Sequence, residues 1–176
     1  MNLDFQRQNW FFINSSIKKR KNAFFLPEVR EACMGSFLKT ANDMKYNLAI
    51  FILMPEHIHL ISGTNDLTVM KEKMTKNYKG AASRRIFLSF PDLRRDLKSK
   101  HFWTPGGEKV KIDNDKSFQK IFNYILYNPV NKNLFPDQYL IHISEEFSAP
   151  QFIGGTENSC KRIISKPGIN SELRNL

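Results

Sequence analysis

The stretch KYNLAIFILMPEHIHLIS, Lys45 to Ser62, holds two apolar runs interrupted once, at Pro55-Glu56. The first run, to Met54, is apolar without alternation and reads as a strand buried on both faces. Proline and glutamate break it, and HIHLIS, His57 to Ser62, resumes as a second strand that pairs with the first as a hairpin. Within that second strand successive side chains alternate faces. His57 and His59 therefore share one face and Ile58 takes the other. Two imidazoles about 7 Å apart at Cα can converge on one divalent ion. Two ligands make a weak site, so a metal requires a third from elsewhere. Taken alone, the pair also fits two histidines hydrogen-bonded on a strand face.

Outward from this hairpin the elements alternate. NWFFINSSIKKR, from Asn9, starts as an apolar strand and ends in a basic loop. From Pro27, Val29, Cys33, Phe37 and Leu38 recur at helical spacing, with Pro27 and Glu28 suited to a first turn. After the hairpin, Asn65 or Asp66 caps a second helix with Leu67, Met70, Met74, Tyr78 and Ala81 inward. KHFWTPGGEKVKI, Lys100 to Ile112, has two strand-like pieces around Pro105-Gly106-Gly107, a hairpin signal. Asn114 or Asp115 caps a further helix that Pro129 stops near Asn128. YLIHI, from Tyr139, supplies one more short strand. The order predicts an α+β fold, a largely antiparallel sheet with helices packed on it. No glycine-rich phosphate loop follows a strand, which argues against a doubly wound parallel sheet.

The 176 residues suit one domain with a proper core. Two cysteines exclude a disulfide framework and a four-cysteine zinc site, and fit a reducing cytoplasm. No apolar run is long enough to span a membrane, and the N-terminus lacks the layout of a signal peptide. Twenty-seven Lys and Arg against 17 Asp and Glu give a net charge of +10, which favours polyanions such as nucleic acid. Lys18-Lys19-Arg20, Lys73, Lys76 and Arg84-Arg85 are candidate phosphate contacts, and each cluster also fits a solvated face. Trp103 beside Phe102 could stack on bases, or serve in the core.

In YILYNPV, Tyr124 and Asn128 lie four apart and share a helix face. A tyrosine beside a cation-bound phosphate is a plausible nucleophile, and an amide oxygen suits Mg²⁺ or Mn²⁺. Tyr127 and Asn131 have the same spacing, but Pro129 between them should end or distort the helix. The plainer alternative is a packing tyrosine and a helix-ending asparagine. Glu56 reads as a turn residue. His101 and His142 lack partners at a telling spacing.

LMPEHIHLI, a helix, HFWTPGGEKVKI and YILYNPVNKNL, in that order, resemble the single-tyrosine HUH transposases of bacterial insertion sequences. The branch most resembled is the REP-associated tyrosine transposases. Met54 to Leu60 matches that family's histidine stretch, and Tyr124 to Val130 its tyrosine stretch, with Trp103 between them. Glu56 stands where the family usually has Asn, a turn position. The resemblance spans about residues 9 to 135. It implies a ferredoxin-like sandwich for the catalytic domain, 1–145; the tail, 146–176, lies outside the resemblance, and its Ser, Gly, Asn and Lys read as loop-like or partly disordered. It also implies cleavage of single-stranded DNA through a 5′-phosphotyrosine link, with Tyr124 as nucleophile. His57, His59 and Asn128 would hold one Mg²⁺ or Mn²⁺. Hairpin-forming single-stranded DNA and a second copy of the chain are the implied partners, in the cytoplasm at the nucleoid. Two rivals are an inactive or domesticated DNA-hairpin binding protein of the same fold, and an unrelated metal-dependent hydrolase using the two histidines.

Overall fold

The computed structural model describes Phe5 and residues 7–148, and the sequence reading of the tail beyond falls outside them. Strands β1 (Asn9–Ser16), β2 (Asn47–Met54), β3 (His57–Thr64), β4 (Lys109–Ile112) and β5 (Leu140–Ile143) form one sheet in the order β4-β1-β3-β2-β5. Every pairing is antiparallel. The helices are α1 (Pro27–Met44), α2 (Lys71–Ser89), α3 (Pro91–Asp96) and α4 (Asp115–Asn131). The β1-α1-β2 and β3-α2-β4 crossovers interleave to give the first four strands a ferredoxin-like order, to which β5 adds an edge. No helix among the described residues is long and apolar enough to cross a membrane.

The central strands β2 and β3 are buried on both faces, as the unbroken apolar run of β2 predicts. One face packs on α1 and α2 through Phe11, Phe37, Phe51, Leu60 and Tyr78. Phe37 stacks between Phe51 and Tyr78 at centroid distances of 4.4 and 4.8 Å, which pins both helices to β2. The other face packs on α4 through Trp10, Phe12, Ile52, Ile61, Phe122 and Ile125. Period-2 alternation along β3 sends Ile58 and Leu60 to the first layer. His57 and His59 go with Ile61 toward α4.

Four local expectations change. Lys100 to Ile112 is not a hairpin: both pieces lie along the same edge of β1. Ile13 pairs with Lys109, and Ile17 bridges to Trp103, with Pro105-Gly106-Gly107 looping out between them. Asn14 donates to the Glu108 carbonyl and Thr104 to that of Ser16. Gly106 and Gly107 have φ of +80° and +103°, and a Cβ on Gly107 would press into the Asn14 carbonyl oxygen. The glycines thus serve a bulge.

Helix α2 starts at Lys71 rather than at Asn65 or Asp66. The Asp66 carboxylate instead accepts from the Thr68 N–H and hydroxyl, closing a local turn that competes with the helix. That turn leaves Leu67 and Met70 exposed, while Met74 and Tyr78 stay inward and Ala82, not Ala81, is fully buried. Pro129 does not stop α4 at Asn128. The helix runs to Asn131, and the Lys132 N–H still reaches the Asn128 carbonyl. Finally, Phe147, expected in a structureless tail, is buried against Trp10 and Phe118.

Candidate functional site

The site lies where β3 passes beneath α4. On β3, the hydrogen-bonding register sets Asn14 opposite His59 and Ser16 opposite His57. Met54 and Ile52 flank the same two histidines from β2. The imidazoles meet edge to face at 4.8 Å between centroids. Asn114 caps α4 by accepting from the Ser117 N–H, which fixes where the helix begins and so which residues face the sheet. Tyr124 and Asn128, one turn apart, both arrive over His59. The Tyr124 ring is 5.5 Å from the imidazole centroid, and Asn128 Nδ2 is 3.4 Å from His59 Nε2. Tyr127 packs against the core beneath α4 and Asn131 is exposed, so the rival pair does not come together here.

Burial sorts these groups by what they can do. Tyr124 is half exposed (50%), open on one side to solvent. His59 is 2% exposed. Burial, reinforced by the neighbouring His57, pushes its pKa down to about 3, so the ring is neutral at pH 7 and keeps a lone pair for a cation. His59 Nδ1 and Asn128 Oδ1 are buried with no hydrogen-bond partner among the described residues. Such orphaned atoms cost stability unless something binds them. Two imidazoles and an amide oxygen form a donor set that suits a divalent cation of the Mg²⁺ or Mn²⁺ class. Among the described residues no group of three or more His, Cys, Asp or Glu offers a competing site.

The candidate phosphate contacts divide into two places. Lys18, Lys19 and Arg20 form a short turn after β1, with Lys19 at φ 57°. The Lys18 N–H donates to the Phe102 carbonyl. On α2, Lys76 and Arg84 line a cleft of about 590 Å³ against the loop before β4. Lys73 and Arg85 are exposed and do not line it. Trp103 does not offer a stacking face: it is 5% exposed, packed on Phe24, Phe37 and Phe102, and its indole N–H donates to the Lys79 carbonyl.

Lys79, Lys100 and Lys109 complete the cleft and were not among the candidates from sequence. Glu72 is the single carboxylate lining it among the described residues. Burial, with Lys109 nearby, lowers the Lys79 pKa to about 8. Its ammonium donates to the Thr104 and Gly106 carbonyls. The helical spacing of Lys76, Gly80, Ser83, Arg84 and Phe87 was a readable signal of this face. Asn14, Ser16 and Phe12 were illegible, because only cross-strand register brings β1 to the histidines.

The model of one protein family, described as transposase, IS200-like, matches residues 13–128, or 116 of the 176 residues. The ISDra2 transposase TnpA of Deinococcus radiodurans is 32% identical over 53 residues, which are 30% of this chain and 37% of that protein. Two solved structures share the fold. One, a candidate transposase of Deinococcus radiodurans R1, superposes with a TM-score of 0.55 at 22% identity, over 68% of this chain and 89% of that one. The other, a REP-associated tyrosine transposase bound to a REP hairpin, gives 0.53 at 18% identity, over 73% and 70%.

Proposed function

The chain belongs to the IS200-like transposase family, and on that premise we propose that it cleaves and rejoins single-stranded DNA through a covalent bond between Tyr124 and a 5′-phosphate. The observation that carries this reading is the convergence of four side chains from two distant segments. Tyr124 stands exposed over His59, with Asn128 one turn along α4 and His57 two residues along β3.

In this scheme the Tyr124 hydroxyl oxygen attacks the scissile phosphorus. The bond to the 3′-oxygen breaks, the phenolic proton passes to solvent at the open side of the ring, and the departing 3′-oxygen takes up a proton. Reversal by another strand's 3′-hydroxyl reseals the backbone. The link conserves the phosphodiester, so no energy source is consumed. His57, His59 and Asn128 would hold the divalent cation, whose contribution is to neutralise charge on the phosphate oxygens. The neutral state of His59 suits it to that task and not to pairing with phosphate itself. The cleft along α2, with five cations against one carboxylate, and the basic turn after β1 would grip flanking DNA backbone. A hairpin-forming strand is the proposed substrate, the class bound by the REP-associated relative.

The test is incubation with labelled single-stranded hairpin DNA and Mn²⁺. Wild type should give a protein–DNA adduct that survives denaturing electrophoresis, and Tyr124→Phe should give none. An adduct retained by Tyr124→Phe but lost in Tyr127→Phe would overturn the nucleophile. Cleavage without any adduct would favour a hydrolase.

A further inference from the structure

Phe12 on β1 carries no group that could react, yet its ring touches both halves of the site. It is buried, 5% exposed, and points to the α4 face of the sheet. Register places it diagonally across from His59, which pairs with Asn14 two residues further along the strand. Aromatic side chains reach a diagonal neighbour. The Phe12 ring lies over the His59 imidazole with centroids 5.8 Å apart and planes 16° from parallel. It meets the Tyr124 ring at 6.3 Å and 83°, edge to face. These are the two arrangements that aromatic pairs favour, and one ring makes both at once.

We infer that Phe12 is a positioning residue, the flat surface that fixes the His59 imidazole and the Tyr124 phenol relative to each other. The inference rests on the proposed role of Tyr124 as nucleophile. The phenol needs such support. It is half exposed on a helix, and the rings of Phe12 and His59 are the aromatic neighbours that the structure gives it. Among the described residues His59 Nδ1 has no hydrogen-bond partner and Nε2 makes only the long 3.4 Å approach to Asn128, so stacking on Phe12 supplies the hold on the ring plane that a close hydrogen bond would otherwise give. An aliphatic side chain would fill the volume without presenting a plane. The rings would then turn more freely, and misplacement on the scale of 1 Å costs up to about 100-fold in rate.

The experiment compares Phe12→Leu and Phe12→Tyr with wild type in three measurements. In single-turnover cleavage of hairpin DNA with Mn²⁺, Phe12→Leu should slow the chemical step about 10-fold or more. Its affinity for uncleaved hairpin should not change, and Phe12→Tyr, which keeps the ring, should restore the rate. In the metal-free protein, the His59 ring protons should carry a ring-current NMR shift from the near-parallel Phe12 ring, retained in Phe12→Tyr and lost in Phe12→Leu.

Wild-type rates in Phe12→Leu, or a Phe12→Tyr as slow as Phe12→Leu, would overturn the inference. So would an unchanged His59 shift in Phe12→Leu. Tyr124→Phe runs in parallel as the control. If it keeps the adduct, the nucleophile assignment fails, and the NMR arm still decides whether Phe12 holds the His59 ring.

Discussion

Replacing Asn128 with leucine should make the metal-free protein more stable, although it removes a residue of the proposed site. Asn128 is 4% exposed, and among the described residues its Oδ1 has no partner and its amide nitrogen makes a 3.4 Å polar approach to His59 Nε2. Relieving a buried unsatisfied carbonyl returns about 1–3 kcal/mol. Losing the long contact to His59 leaves that nitrogen unpaired and takes back about 1 kcal/mol. Leucine also has the higher helix propensity, worth a few tenths of a kcal/mol, roughly. The net expectation is about 1 kcal/mol in favour of Asn128→Leu, or about 2–4 °C in Tm for a domain of this size.

Mn²⁺ should reverse the order. At a hundred times its Kd it stabilises wild type by about 2.7 kcal/mol, and the variant, short of a ligand, far less. Thermal melts in EDTA and in excess Mn²⁺ should therefore cross. A variant that melts below wild type in EDTA would mean that the Asn128 amide is a structural group. Equal gains from Mn²⁺ would remove it from the cation site.

The remaining expectations concern the cleft and the bulge. Lys76→Ala and Arg84→Ala, on the cleft wall, should each weaken single-stranded DNA binding at every sequence tested and reduce the slope of log K against log salt by about 0.7. An unchanged slope, read by fluorescence anisotropy, would place the DNA elsewhere. Gly107→Ala, forced to φ near +103° against the Asn14 carbonyl, should cost about 2–4 kcal/mol in a thermal melt. Gly35→Ala, in α1 with open space around it, should instead gain about 0.5–1 kcal/mol. Similar effects from the two would refute the bulge argument.

Periodicity and punctuation alone determined a good deal. The unbroken apolar run before Pro55, and Ile58 between two histidines, specified a hairpin at the centre of a sheet and the face that the histidines share. Asn114 and the apolar spacing behind it specified α4, and with it the pairing of Tyr124 with Asn128. These features are local, so a chain of residue types is enough to state them. Tertiary structure decided what depends on contacts between distant segments. Gly106-Gly107 carries the same turn signal whether the chain reverses or bulges, and only the free edge of β1 makes the bulge win. Asp66 could cap a helix or bond to Thr68, and the short local bond prevails. Trp103 could have stacked on a base, but the Phe24–Phe102 cluster encloses it. Phe12 and Asn14 lie more than forty residues from the histidines in sequence, and antiparallel register alone brings them alongside. The sequence thus names the groups that can react, and the sheet decides which groups hold them in place, because register is a property of paired strands and not of either strand by itself.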